Sequence, residues 1–486
     1  MSCHHYRHVR SRREFLAQCG LGLGTAALAR MFAAEAVGAA PAALGPGAGG
    51  LPGLPHFPAK AKRVICLFQS GGPSHLELFD PKPLLSERFN EDLPDSVRQG
   101  QRITGMVASQ SRLVLQPSKF GFQPGGRSGL MVGDLLPHTR GIADEICVIR
   151  SMHTEAINHD PAITFFQTGS QQPGRPSLGS WIDYGLGRLN ENLPSFVVLV
   201  SVNAKRPGQG LLARLWGSGF LPSAHQGVQF RSAGEPVLYL NDAPGITRER
   251  RRLMLDATAE LNRLQLARSG DPEVETRIAQ FEMAFRMQAS VPELMELKGE
   301  SPAVLESYGP NVHAPGSFAR NCLLARRLAE RGVRFIQLYH RDWDHHSGLH
   351  DELPTMARDV DQPSAALVRD LKQRGLLDDT LVIWGGEFGR TPYAQGAANR
   401  EKYGRDHHGR AFSLWLAGAG VKAGLAYGAT DEFGFNVVDK PVHIHDLQAT
   451  ILHQLGIHHE RLTYRFQGRN FRLTDVHGTV VKDILA

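Results

Sequence analysis

Two clusters of histidine and aspartate carry the chemistry that this sequence suggests. The first runs from His340 to His346, reads His-Arg-Asp-Trp-Asp-His-His, and directly follows a predicted strand. The second is Asp406-His407-His408, which precedes another predicted strand. Carboxylate and imidazole ligands in combination are typical of sites for Zn²⁺ or another divalent transition ion. Because both clusters adjoin strands, we expect them to contribute to one metal site.

Two aspartates are candidates for the carboxylate ligand of this predicted site. Asp342 lies four residues before His346, and Asp344 lies two residues before it. Either spacing lets a carboxylate and an imidazole converge, so both aspartates are candidate ligands. From the second cluster, His408 and its neighbour His407 are the candidates that complete the site.

A glycine-rich segment after a third predicted strand carries a carboxylate and a guanidinium. Residues 385–390 read Gly-Gly-Glu-Phe-Gly-Arg. Glycines around a carboxylate permit a close backbone approach, and an arginine can bind an oxyanion through two parallel hydrogen bonds. We therefore predict Glu387 and Arg390 as catalytic-site residues. The alternative is a structural Glu–Arg pair at a turn.

One more histidine lies at a predicted helix N-terminus, where it could act in catalysis. Residues 158–161 read Asn-His-Asp-Pro, and asparagine followed by a nearby proline is a signal for a helix N-terminus. His159 would then lie at the end of the helix that attracts anions. We predict it as a catalytic residue. A buried histidine with a purely structural role is the alternative.

Alternating strands and helices are predicted to position these residues. Runs of apolar residues without polar alternation are typical of the central strands of a parallel sheet. They occur at 62–70, 146–150, 196–200, 333–340, 380–384 and 412–416, and helical patterns occur at 318–331, 363–374 and 445–455. This alternation predicts an α/β fold with a doubly wound, mostly parallel sheet and helices on both faces. Ligands of such folds bind at the carboxyl ends of the strands.

Two segments depart from this alternation. Residues 84–140 are polar and rich in glycine, which predicts a long surface excursion near the active edge. Residues 246–300 combine helical periodicity with dense charge, which predicts a helical insertion. Its charges are interpreted as a solvated face, and the alternative is a cap over a substrate cleft.

The N-terminus has the pattern of a twin-arginine export signal. Residues 11–16 read Ser-Arg-Arg-Glu-Phe-Leu, and an apolar run rich in glycine and alanine follows. The run is shorter than the roughly 20 apolar residues of a membrane span. We therefore predict a cleaved signal over 1–40, a Pro/Gly/Ala-rich linker over 41–60 and a domain over 61–486. The twin-arginine export machinery would deliver a periplasmic or secreted protein without a stable membrane span.

The composition of the chain argues against a nucleic acid as a binding partner. The formal net charge is +6, but five arginines and two glutamates lie in residues 1–40. The remainder is weakly basic without a long Lys/Arg block, so we expect no nucleic-acid partner. Cys66, Cys147 and Cys322 are widely spaced in apolar contexts, which favours buried small hydrophobic residues over ligands.

Several motifs taken together resemble a known family. They are Gly-Gly-Pro-Ser at 71–74, Phe-Asp-Pro-Lys-Pro at 79–83, Trp-Asp-His-His at 343–346 and Glu-Phe-Gly-Arg-Thr-Pro at 387–392. This set resembles the DUF1501 family of exported, sulfatase-like proteins, from about Lys62 to the C-terminus. The family is in turn similar to the alkaline phosphatase and sulfatase superfamily.

The wider resemblance implies roles for particular residues. The superfamily nucleophile lies ten residues before the glycine of a Thr-Gly pair, a position that corresponds here to His159. Its Asp-x-x-x-His ligand pair corresponds to Asp342 and His346, whereas the DUF1501 pattern pairs Asp344 with His346. A later ligand histidine that is followed by glycine corresponds to His408.

The chain also departs from the superfamily pattern. His159 replaces the usual serine, threonine or formylglycine nucleophile. The first strand ends in Gln69 where the superfamily has a metal-binding aspartate, and an Asp-His ligand pair is replaced by Glu387 and a phenylalanine. One metal site is therefore expected to be preserved, and a second would need oxygen ligands from Glu77 and Asp80.

The resemblance implies an exported metal-dependent hydrolase of sulfate or phosphate esters, acting on a small-molecule or polysaccharide substrate. One divalent ion, with Zn²⁺ as the first candidate, would polarise the ester oxygen or activate water. His159 would act as nucleophile or as general acid or base, and Arg390 would stabilise the oxyanion. The alternative is a secreted binding or structural protein that keeps the fold without catalysis.

Overall fold

The computed structural model of the protein describes residues 49–202, 210–231, 234–237, 241–242, 245–396 and 402–486. The predicted export signal over 1–40 lies outside the described residues, as does the first part of the predicted linker. Within the described ranges, no helix combines the length and the apolar character needed to cross a membrane.

A large mixed sheet forms the centre of the fold. The strands of the described chain are β1 (Arg63–Gln69), β2 (Phe122–Gly125), β3 (Leu130–Gly133), β4 (Ile146–His153), β5 (Phe196–Val200), β6 (Val228–Phe230), β7 (Phe335–His340), β8 (Thr380–Gly385), β9 (Gly389–Gln395), β10 (Gly404–His408), β11 (Phe412–Ala417), β12 (Leu425–Tyr427), β13 (Ala429–Thr430), β14 (Val437–Asp439), β15 (Val442–His443), β16 (Tyr464–Phe466) and β17 (Arg469–Phe471). Nine of them form the central sheet, in the order β12-β4-β11-β8-β1-β7-β5-β6 with β15 beside β4.

The helices follow the strands in the predicted alternation. They are α1 (His75–Leu78), α2 (Leu84–Glu87), α3 (Asp95–Arg98), α4 (Pro137–Arg140), α5 (His159–Thr168), α6 (Leu178–Leu186), α7 (Arg248–Ser269), α8 (Pro272–Met295), α9 (Pro302–Ser307), α10 (Phe318–Glu330), α11 (Leu349–Gln373) and α12 (Ile444–Gln454). Turns of 3₁₀ helix lie at Ala143–Glu145, Ala213–Trp216, Ser223–His225, Pro310–His313, Leu377–Asp379 and Lys482–Ile484.

The predicted mostly parallel sheet is confirmed. β1 pairs in parallel with β7 and β8, and β5 pairs in parallel with β6 and β7. The exception is β11, which runs antiparallel to both of its neighbours, β4 and β8. Each of the six predicted strand segments overlaps one strand of this sheet.

One predicted helix was too short. The segment 363–374 is only the second half of α11, which begins at Leu349 and has Pro354 and Pro363 inside it. A proline removes one helical hydrogen bond and usually ends or kinks a helix. Here the apolar residues on both sides of Pro363 are buried against the sheet, and this burial favours a continuous helix over local propensity.

Alternate residues of the central strands face two separate hydrophobic layers. In β1, Ile65 and Leu67 belong to the layer that contains α10 and α11. Val64, Cys66 and Phe68 belong to the opposite layer, which contains α5, α6 and α12. This is the period of two expected for a strand, and it confirms a doubly wound sheet with helices on both faces.

The predicted helical segment over 246–300 contains α7 and α8. Arg252 contacts Glu282, and the guanidinium of Arg248 lies over the ring of Phe285. Because a residue earlier in α7 contacts a residue later in α8, the two helices are antiparallel. Leu253 and Leu264 on α7 are 59 % exposed, so much of this helix faces solvent.

The loops that follow β1 and β7 lie in contact with each other. Gln69 at the end of β1 is opposite His340 at the end of β7. Gly71 has a φ of +118°, and a Cβ added there would lie 2.6 Å from the backbone nitrogen of Trp343. Only glycine tolerates both the backbone conformation and this approach, which brings the segment after β7 against the end of β1.

A buried ion pair connects α1 to β10. The Glu77 Oε1 accepts hydrogen bonds from Arg405 Nε at 2.9 Å and from its terminal nitrogen at 2.6 Å, and both side chains are 0 % exposed. Arg405 also donates to the carbonyls of Gln116 and Thr391. It therefore fixes β10 relative to three other segments.

We predict that Arg405→Met destabilises the protein by about 3–5 kcal/mol, because it leaves the Glu77 carboxylate buried without its partner. Urea denaturation followed by circular dichroism measures the change. Arg465→Met, at an exposed position in β16, is the matched control and should cost less than about 0.5 kcal/mol. Equal stability of the two variants would contradict this role for the pair.

Candidate metal centre

Four residues from three distant parts of the chain meet near the carboxyl ends of the sheet strands. Asp344 and His346 lie in the loop after β7, His159 is the first residue of α5, and His407 lies in β10. One ligand atom from each of them lies within 4.8 Å of the others. Within the described ranges, this is the one group of three or more histidine, cysteine or carboxylate side chains with that proximity. We call it the His159 cluster.

A carboxylate oxygen lies at the middle of the cluster. The Oδ1 atom of Asp344 is 3.1 Å from Nε2 of His159, 2.8 Å from Nε2 of His346 and 3.2 Å from Nε2 of His407. The side chains of Asp344 and His346 are 27 % and 24 % exposed. The cluster is therefore open to solvent on the side of these two residues.

The second ring nitrogen of each histidine faces an oxygen acceptor. Nδ1 of His159 is 2.7 Å from Oε1 of Glu387, and Nδ1 of His407 is 2.8 Å from the carbonyl oxygen of Ile157. Nδ1 of His346 contacts the side-chain oxygen of Gln395. These acceptors assign the proton of a neutral imidazole to Nδ1, which leaves the Nε2 lone pair directed into the cluster.

This arrangement places acceptor atoms against one another. Three Nε2 lone pairs and one carboxylate oxygen converge, and they repel unless positive charge lies among them. Nε2 of His159 is buried and, although close to Asp344, is not aligned for a hydrogen bond with any described atom. Three imidazole nitrogens and one carboxylate oxygen are a ligand set used by divalent transition ions, Zn²⁺ among them. The residues therefore fit such an ion.

The ionisation of the cluster is consistent with a site for a cation. Burial would raise the pKa of Asp344, but contacts with the three histidines and with Arg390 hold it well below its usual range. Burial lowers the pKa of His407 to about 3, so this ring is neutral near pH 7. For His159, burial lowers the pKa, but the contacts with Asp344 and Glu387 outweigh it and raise the pKa overall. Positive charge is thus stabilised beside the Asp344 oxygen.

Glu387, predicted as catalytic, lies behind His159 rather than in the cluster. Its carboxylate is 0 % exposed and accepts a hydrogen bond from the backbone nitrogen of Gly71 at 2.9 Å. A carboxylate that accepts the Nδ1 proton of a ligand histidine fixes the tautomer and orientation of the ring. Glu387 is thus placed to orient His159.

Arg390, predicted to bind an oxyanion, contacts the protein instead. Its Nε donates to the carbonyl of Gly72 at 2.9 Å, and its terminal nitrogens donate to the carbonyl of Arg405 at 3.1 Å and to Oδ1 of Asp344 at 2.7 Å. The side chain is 1 % exposed. Its donors contact the protein, and Arg390 is thus placed to position Asp344.

The predicted ligand His408 is directed away from the cluster. Its Nε2 is 2.6 Å from the carbonyl oxygen of Phe435, and its ring stacks on Phe435 with centroids 4.3 Å apart. Burial lowers its pKa to about 3. Neighbouring residues of a strand point to opposite sides, so His407 faces the cluster and His408 does not.

The predicted second metal site is not assembled by its candidate ligands. Glu77 pairs with Arg405, and Asp80 contacts Lys82 at 3.0 Å and also accepts from a threonine hydroxyl. Of the two candidate aspartates near His346, Asp344 belongs to the His159 cluster and Asp342, which has a φ of +80°, does not.

Sequence reasoning missed the outer contacts of the cluster. Gln395 and the carbonyl of Ile157 carry no motif that would identify them. His159 was predicted as a nucleophile or as a general acid or base, and not as a ligand.

We predict that the purified protein contains about one equivalent of a divalent transition ion, and that Asp344→Asn and His407→Gln remove it. Asp342→Asn and His408→Gln are the matched controls at nearby positions and should retain it, because neither residue belongs to the His159 cluster. Inductively coupled plasma mass spectrometry on gel-filtered protein measures the content. Loss of the ion from the Asp342 variant with retention in the Asp344 variant would refute the assignment.

We also predict that Glu387→Gln weakens metal affinity by about 10–100-fold, because it removes the charged acceptor that orients His159. Competition with a chromophoric chelator measures the affinity. Glu432→Gln, at an exposed position, is the control and should leave it unchanged. An unaltered affinity in the Glu387 variant would show that the carboxylate has no role in orienting the ligand.

Comparison with known proteins identifies the family. Similar solved structures include a phosphonate monoester hydrolase from Silicibacter pomeroyi, at 12% identity and a TM-score of 0.29 over 66% of this chain and 68% of that one. Others are a protein of the alkaline phosphatase superfamily from Vibrio parahaemolyticus (10%, 0.35) and the sulfatase PsFucS1 from Pseudoalteromonas sp. (11%, 0.32), each covering 82% of this chain and 68% of its own. No curated protein matches the sequence. The model of the family described as "Protein of unknown function (DUF1501)" matches residues 61–485, and the chain belongs to that family.

Proposed function

We propose that this protein is a metal-dependent hydrolase of sulfate or phosphate esters with a single divalent ion. The observation that carries the proposal is the convergence of three histidine Nε2 atoms on the Asp344 carboxylate, each histidine held by an acceptor at Nδ1. His159, Asp344, His346 and His407 would hold the ion. Three of these residues, Asp344, His346 and His407, were among the predicted candidate ligands, and His159 was not.

The donor set favours a transition ion over Mg²⁺ or Ca²⁺. Imidazole nitrogen suits Zn²⁺ and its neighbours, whereas Mg²⁺ and Ca²⁺ prefer ligand sets made of oxygen. When bound, such an ion supplies Lewis-acid chemistry, in which an ester oxygen is polarised or the pKa of a water molecule is lowered. We therefore propose Zn²⁺ as the first candidate.

The residues of the chain would orient and neutralise the site. Glu387 would hold the His159 ring with Nε2 directed at the centre, and Arg390 would hold the Asp344 oxygen in place while offsetting its charge. The partly exposed side chains of Asp344 and His346 mark the side from which an ester could approach. Groups that are held in place before the substrate binds would stabilise the charge that develops in the transition state.

His159 is proposed as a ligand and not as the nucleophile. Its Nδ1 faces Glu387 and its Nε2 lies 3.1 Å from Asp344, so neither nitrogen is free to attack an ester. Hydrolysis would then proceed by direct attack of water, without a covalent intermediate on this residue. Wild-type protein incubated with a phosphate ester should not form phosphohistidine at position 159.

The substrate and the cell compartment belong to the same proposal. Sulfate or phosphate esters of small molecules or polysaccharides are the expected substrate class, and no nucleic-acid partner is proposed. Export through the twin-arginine pathway to the periplasm or the cell exterior rests on the sequence pattern of residues 1–40.

Turnover of a panel of aryl sulfates, aryl phosphates and aryl carboxylic esters by Zn²⁺-loaded protein tests this function. We expect hydrolysis of a sulfate or phosphate ester and a loss of at least about 100-fold in His346→Ala. Asp342→Asn is the control and should retain activity. Inactivity on every ester by metal-loaded wild type would instead support a non-catalytic binding protein, and undiminished turnover by His346→Ala would exclude the proposed centre.

A further inference from the structure

A cavity of about 320 Å³ lies next to the His159 cluster. Its walls come from the predicted surface excursion around residues 101–104, from the segment 154–158 that leads into α5, and from the residues at the end of β10. Of the four members of the cluster, only His407 lines this cavity. The cavity is thus a neighbouring compartment that adjoins the cluster at His407.

Two arginines without a carboxylate partner in the described part of the chain give the cavity a positive charge. Arg102 and Arg410 both line it and both are exposed. Neither forms an ion pair with a carboxylate of the described residues. The one carboxylate in the wall, Glu155, is 3.0 Å from Nε2 of His443, and this contact lowers its pKa to about 2. The one carboxylate of the wall is therefore engaged by His443, whereas neither arginine has a carboxylate partner within the described ranges.

The location of the arginines separates them from the reacting group. An ester at the His159 cluster would lie against Nε2 of His407, which faces Asp344. Arg102 and Arg410 line the neighbouring cavity, which shares only His407 with the cluster. An anion bound between them would consequently be a second group of the same molecule rather than the ester being hydrolysed.

We infer that the substrate carries a second anionic group, such as a sulfate, phosphate or carboxylate, which binds between Arg102 and Arg410 while the ester binds at the His159 cluster. This inference rests on the proposed function and narrows its substrate class. Guanidinium groups bind tetrahedral and planar oxyanions through paired hydrogen bonds. A cavity of this volume is at the small end of ligand pockets, which suits one substituted sugar or aryl unit rather than a polymer segment.

The kinetic test compares two aryl esters that differ only in a second anionic group. Wild type should prefer the doubly anionic ester, measured as the ratio of the two kcat/KM values. Arg102→Gln/Arg410→Gln should lower this ratio about tenfold or more, as the loss of hydrogen bonds to a charged group implies. Arg268→Gln/Arg465→Gln removes the same charge at exposed positions and should leave the ratio unchanged. No preference in wild type, or an unchanged ratio in the first variant, would overturn the inference.

A binding test does not depend on activity. Isothermal titration of metal-free protein with inorganic sulfate should show binding that the Arg102/Arg410 variant loses and the Arg268/Arg465 variant keeps. Equal binding by both variants would refute the site. If no ester is hydrolysed but sulfate binding follows Arg102 and Arg410, then the proposed function fails while the anion site stands. Matching melting temperatures would establish that the variants are folded.

Discussion

The mutual repulsion of acceptor atoms around the Asp344 oxygen is the constraint on which the rest of the site depends. Neutral imidazoles that direct three lone pairs at a carboxylate repel it and one another. A bound cation offsets this repulsion, and so does a proton on His159, whose pKa is raised despite its burial by Asp344 and Glu387. Outer acceptors such as Glu387 prevent the rings from turning away, and a cation at the centre would relieve the repulsion. The fold therefore holds an arrangement that is unfavourable alone and favourable with an ion, which is how a preorganised metal site is built.

Buried charges around the cluster hold this arrangement in place. Arg390 connects Asp344 to the backbone after β1, and the Glu77–Arg405 pair fixes the strand that carries His407. Such groups are costly to bury and are retained when every partner is satisfied. Arg390 and Glu387, which were predicted as catalytic-site residues, contact the residues that we propose as ligands. The open side of the cluster and the neighbouring cavity are where we propose that the substrate binds.

Much of the fold could be predicted, because its signals are local. The apolar runs identified the central strands, and the alternation with helices identified a doubly wound sheet. The failure at α11 has a physical reason, since burial on both sides of Pro363 outweighed the local effect of proline. The candidate site was predicted in part. The clusters around His346 and His407 were found, but which members of each cluster converge was left open.

The sequence by itself determined the ligand types of the candidate site, imidazole and carboxylate, and the edge of the sheet at which they lie. Both can be predicted from short segments, because ligand types and strand patterns depend only on neighbouring residues. Only the tertiary structure decided which candidates belong to the cluster: Asp344 rather than Asp342, and His407 rather than His408. A register shift in β10 between Arg405 and His407 sets which histidine faces the cluster, and strand pairing brings His159 to Asp344 across the chain. Side-chain direction at a bulge and contact between distant segments depend on how the strands pair, and no local pattern of residues specifies that pairing.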